Sequence, residues 1–83
     1  MDKVLVEVYI PASNETHDVF IPVKSKLHEV TFLLANTMTE LSNGYFVATD
    51  TTIVCDSKTG TVFDINKTVE ELGFINGTKL MLV

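Results

Sequence analysis

Thr68-Val-Glu-Glu-Leu-Gly-Phe-Ile-Asn-Gly-Thr-Lys-Leu-Met-Leu-Val83 decides the fold class. Thr68 followed three residues later by Glu71 is a capping-box pattern, in which the hydroxyl and the carboxylate each satisfy a backbone amide of the other residue. Gly73 ends that short helical turn. Asn76-Gly77 is turn chemistry, because both residues tolerate positive φ. Lys79 to Val83 then alternates, with Leu80 and Leu82 on one side of a strand and Met81 on the other. A closing strand with no charge after Lys79 belongs in the middle of a sheet.

Working back from that strand, the N-terminal half supplies its partners. Val4-Leu-Val-Glu-Val-Tyr-Ile10 has period two, with Val4, Val6, Val8 and Ile10 on one face and Lys3, Leu5, Glu7 and Tyr9 on the other. Pro11 to Thr16 is a turn, and His17 to Val23 is a second strand. Val19, Ile21 and Val23 alternate there with Asp18, Phe20 and Pro22, and Pro22, which lacks an amide proton, belongs at a strand end or edge. Ser25 reads as the N-cap of a helix from Lys26 to Ser42. Leu27, Val30, Leu33, Leu34, Met38 and Leu41 form its apolar stripe, and Asn43-Gly44 its stop. Tyr45–Val47 and Thr52–Cys55 read as one interrupted strand or a small hairpin. Asp56–Gly60 is a turn leading to Thr61–Ile65. The order is β-β-α-β-β-turn-β. A helix following a hairpin buries its stripe on the sheet that the hairpin begins, and the last strand pairs with the first. The expectation is an α+β, β-grasp domain over residues 1–83, with a mixed sheet of four to five strands and one main helix.

Composition narrows the function classes. The net charge is −5, and the six basic residues are all lysines scattered along the chain. Without arginine there is no planar fork for bidentate phosphate or guanine contacts, so nucleic acid is not an expected partner. Val4–Ile10 is interrupted by Glu7 and too short to span a bilayer, so no direct membrane insertion is expected and a cytoplasmic location is the default. Cys55, the one cysteine, excludes an internal disulfide framework. His17 and His28 stand far from it in sequence and lack metal-ligand spacing. The expectation is therefore a protein that is not an enzyme, with no catalytic residues, no metal and no cofactor.

Leu72-Gly-Phe-Ile-Asn-Gly-Thr-Lys-Leu80 resembles the leucine-glycine-isoleucine, turn, glycine, leucine run that closes many ubiquitin-like domains. Length, element order and chain end look most like the small YukD/EsaB-type proteins of bacterial type VII (WXG100) secretion loci. The resemblance implies a cytosolic, non-catalytic accessory or regulatory component whose partners are secretion-machinery proteins. Val83 is β-branched and directly on the strand, with no Gly-Gly beyond it, so conjugation or sulfur carriage is not expected. A structural subunit of a multicomponent enzyme, such as a diiron monooxygenase, is the alternative.

Period two places Leu5, Tyr9, Phe20 and Met81 on the sheet face away from the helix, among Lys3, Glu7 and Lys79. Apolar patches rimmed by charge mark interaction sites, which makes these four the candidate partner-binding residues. The same face leaves an isologous homodimer open. Phe32 lies off the helical stripe and is expected to pack beneath the loop that follows the helix rather than dock a partner.

Overall fold

The computed structural model describes residues 2–41 and 52–83. Strands β1 (Lys3–Ile10) and β2 (Glu15–Pro22) form a hairpin, helix α1 (Leu27–Leu41) follows, and β3 (Val54–Asp56) and β4 (Thr78–Leu82) complete a four-stranded sheet in the order β2-β1-β4-β3. β1 pairs antiparallel with β2 and parallel with β4, the arrangement expected of a β-grasp. The hairpin turns through Asn14, whose φ of 52° is a conformation that asparagine tolerates better than most residues.

The core lies between one sheet face and the helix. Val4, Val6, Val8 and Ile10 of β1 are buried, as are Ile21 of β2 and Leu80 and Leu82 of β4, as the alternation requires. The helix contributes Leu27, Val30, Leu34, Ala35 and Met38. Its stripe is thus rotated from the one read in sequence. Ala35 is buried while Leu33 and Leu41 are about half exposed. Leu33 and Leu34 lie about 100° apart around the axis, so only one of them can point directly at the sheet. Phe32, expected beneath the following loop, is instead 73% exposed, because it lies on the side of the helix away from the buried stripe.

The helix start also differs from the reading. The Lys26 amide donates to Glu29 Oε1 at 3.1 Å, which puts Lys26, not Ser25, at the N-cap. Lys26 has no side-chain oxygen to return the bond. The orphan amides of Leu27 and His28 instead donate to the carbonyls of Lys67 and Ile65, at 2.9 and 3.1 Å. The segment before β4 therefore caps the helix. Thr61–Ile65 forms no strand, only an isolated bridge between Val62 and Cys55. The Asp56 carboxylate accepts from the Lys58 and Thr59 amides, and Asp64 accepts from Asn66. These side-chain turns close on both sides and leave too few residues for a ladder. Tyr45–Val47 and Asn43-Gly44 lie outside the described residues. Ile53 and Val83 exchange two backbone hydrogen bonds, at 2.8 and 3.0 Å, which extend the β3–β4 pairing.

The capping box at Thr68 is formed reciprocally. The Thr68 amide donates to Glu71 Oε1 at 2.9 Å, and the Glu71 amide donates to Thr68 Oγ1 at 3.1 Å. Those bonds hold the Glu71 carboxyl below its ordinary value of 4.5. A depressed folded pKa contributes stability above the unfolded value and loses it as pH falls through the folded one. Glu71→Gln should therefore flatten the acid limb of a Tm-against-pH curve below about pH 4.5, while the wild type falls more steeply.

Candidate functional site

β1 and its neighbours set the outer sheet face row by row. Leu5 lies directly across from Phe20, Glu7 lies between Asp18 and Lys79, and Tyr9 lies between Thr16 and Met81. Met81 is in turn opposite Cys55, and Cys55 opposite Val62. Leu5, Tyr9, Phe20 and Met81 thus occupy one face, with Phe20 62% exposed and the other three half-buried. They do not form one continuous apolar patch. Leu5–Phe20 and Tyr9–Met81 are two pairs separated by the Asp18–Glu7–Lys79 row. Four residues of strand set the pairs about 13 Å apart.

Each pair has a local cause. The Leu5 amide donates to Asn76 Oδ1 at 2.8 Å, and its carbonyl accepts from the Gly77 amide at 2.8 Å. The Asn-Gly turn therefore pins β4 against β1 and sets the register that brings Lys79 beside Glu7. Gly77 sits at φ 92°, which an L side chain rarely adopts. At the other end the Tyr9 hydroxyl donates to Asn14 Oδ1 at 3.0 Å, tying the ring to the hairpin turn. Neither side-chain bond was legible in sequence. The only signal for each was an asparagine already assigned to a turn.

The charged row carries weak fields. Lys79 Nζ is 3.9 Å from Glu7 Oε2, with both side chains substantially exposed, and such a pair contributes at most about 1 kcal/mol. Asp18 has no lysine opposite it, since its strand partner is Glu7. Lys58 and Lys79, with Asp56, Gly77 and Thr78, line an open depression of about 280 Å³ beside this row.

Cys55, His17 and His28 are not brought together. Cys55 is on β3, and His17 is on β2, three strand spacings away at about 14 Å. His28 is exposed in the first turn of the helix. Cys55 is buried, and its Sγ donates to the Met81 carbonyl at 3.7 Å. Burial, and secondarily the Asp56 carboxylate, push the thiol pKa up, which is opposite to what a nucleophile needs. Among the described residues there is no group of three or more histidine, cysteine, aspartate or glutamate side chains placed to hold a metal.

The chain matches no protein-family model and no curated protein sequence. Solved structures do match it. The ubiquitin-like domain of the Mycobacterium tuberculosis type VII secretion protein EccD1 superposes with a TM-score of 0.78 at 14% identity, covering 100% of this chain and 99% of that one. The EccD5 ubiquitin-like domain of Mycobacterium xenopi gives 0.83 at 15%, covering 100% and 94%. The fold is a ubiquitin-like β-grasp. A chain in the toluene 4-monooxygenase HD complex matches at 0.79 and 14% identity, covering 99% and 98%, so the same β-grasp occurs in an oxygenase assembly too. Among the described residues, no helix of this β-grasp is long and apolar enough to cross a membrane.

Proposed function

We propose that this chain is a non-catalytic, cytoplasmic protein-binding module of a bacterial type VII secretion machine, docking a machinery protein through Leu5, Tyr9, Phe20 and Met81. The observation that carries it is the outer face itself: two apolar pairs flank a charged row on a rigid sheet whose opposite side is the core. Apolar pairs supply burial on docking, and the Asp18–Glu7–Lys79 row between them sets orientation and on-rate. The likeness to EccD ubiquitin-like domains over nearly their full length supports the secretion setting. The likeness to the toluene 4-monooxygenase chain supports a second reading, a permanent subunit of an oxygenase assembly.

The test is affinity capture from the native host with wild-type chain and with Leu5→Glu and Met81→Glu variants, followed by quantitative mass spectrometry and intact mass of the bait. Secretion ATPase or membrane components retained by the wild type and lost with both variants support the proposal. Oxygenase subunits in their place favour the second reading. A mass increase from conjugation or thiocarboxylation would overturn both.

A further inference from the structure

Strand β2 is the margin of the sheet, and the backbone bonds fix which of its groups face outward. The Leu5 amide and carbonyl both point toward β4 and its turn, to Asn76 and Gly77. Alternation along β1 then aims Glu7 and Tyr9 the same way, and Val4, Val6, Val8 and Ile10 toward β2. Their partners Ile21, Val19, His17 and Glu15 face inward along the ladder. The Val23 amide, which donates to the Asp2 carbonyl at 3.1 Å, continues that parity. The amides and carbonyls of Thr16, Asp18 and Phe20 therefore face out of the sheet, and all three residues are exposed. Among the described residues no hydrogen bond engages them.

Natural edge strands are blunted by charged side chains, lysine above all, by a bulge, an interior proline or shortness. β2 has none of these but charge, and that charge is acidic. It is eight residues long, pairs with β1 without a bulge, carries no lysine, and has its one proline at the last position. Its charges are Glu15 and Asp18 alone. Phe20, opposite Leu5 on one side, has an open lateral position on the other. Val19 and Val23, only partly buried, leave the core margin accessible along the same edge.

We infer that this edge accepts an extended, basic segment of a partner protein as an added antiparallel strand. The segment places an apolar residue beside Phe20, a small apolar residue beside Val19, and lysine or arginine beside Asp18 and Glu15. Main-chain bonds to Thr16, Asp18 and Phe20 supply affinity, and the side chains supply selectivity. A second copy of this chain is a poorer occupant, because each copy carries a net charge of −5 and would bring an equally acidic strand. This edge shares Phe20 with the docking face and Asp18 with the charged row between its pairs, but its test reads the Thr16, Asp18 and Phe20 amides, so it fails separately from the proposed function.

The probe is the peptide acetyl-Lys-Val-Leu-Val-Lys-Val-Thr-Lys-amide, titrated into the ¹⁵N-labelled full chain. We expect saturable shifts and slowed solvent exchange at the Thr16, Asp18 and Phe20 amides. Affinity should fall at least about ten-fold for the peptide with glutamate in place of its lysines, or for Asp18→Lys against the original peptide. N-methylation of the peptide's leucine, whose amide faces β2, should abolish binding, while N-methylation of the following valine, which faces away, should not. Circular dichroism confirms that Asp18→Lys remains folded. Shifts confined to Leu5, Tyr9 and Met81, equal tolerance of both N-methyl groups, or absence of saturable binding would overturn the inference. So would protection of the three edge amides in a peptide-free dimer.

Discussion

Leu80→Ala should lower stability by about 3 kcal/mol, while Met81→Ala, one residue away, should change it by less than about 1 kcal/mol. Leu80 is fully buried at the register position opposite Val8, between the central strands and the helix. Removing its isobutyl group forfeits transfer free energy and leaves a cavity that strands bonded on both sides cannot close. Met81 points to the other face, beside Tyr9, where its side chain already meets solvent. In a chain of this size the first change corresponds to a Tm drop of roughly 12–24 °C. Whole-domain stability is of order 4–12 kcal/mol, so Leu80→Ala removes a large fraction of it. The pair is read by thermal and urea unfolding followed by circular dichroism. Equal losses for the two variants would mean that Met81 is a core residue, and the docking face would lose one of its four members.

Alternation made the two sheet faces legible. Val4, Val6, Val8 and Ile10, with Leu80 and Leu82, are buried as period two requires, because a strand's side chains have only two directions to take. A helix offers a continuous range of rotations, and hydrophobicity alone ranked Leu33 above Ala35. In the fold Ala35 is buried and Leu33 is half exposed, an outcome that depends on tertiary packing absent from a single segment's sequence. The four candidate face residues were likewise placed on one side by alternation. Their division into two pairs was not readable, because it depends on the parallel register of β1 with β4. That register is set by Asn76 Oδ1 and the Gly77 amide on Leu5, a contact between residues 71 apart in sequence. The short third strand and the failure of Thr61–Ile65 to form a strand have a similar origin. Asp56 and Asp64 were visible as turn formers, but that both would fold their carboxylates onto local amides was not.

Phe74→Ala should be the most damaging substitution in the segment that closes the chain, costing about 3–5 kcal/mol. Phe74 is nearly buried and stands edge-to-face with Phe63, with ring centroids 5.0 Å apart and planes at 74°. That contact anchors the 57–67 segment from one side. From the other, the Ile65 and Lys67 carbonyls accept the first helical amides. Loss of Phe74 therefore opens a cavity and loosens the peptide that caps the helix. Two effects are separable by a double-mutant cycle. If the rings act as a pair, Phe63→Ala and Phe74→Ala should couple by about 0.5–1.5 kcal/mol beyond additivity. If the damage passes through the cap, hydrogen exchange at the Leu27 and His28 amides should accelerate in Phe63→Ala as well, though those amides bond to Lys67 and Ile65 and not to Phe63. Additive losses with unchanged exchange at Leu27 and His28 would reduce Phe63 to an independent surface contact. The Ile65 and Lys67 carbonyls would then hold the helix start without help from the ring pair.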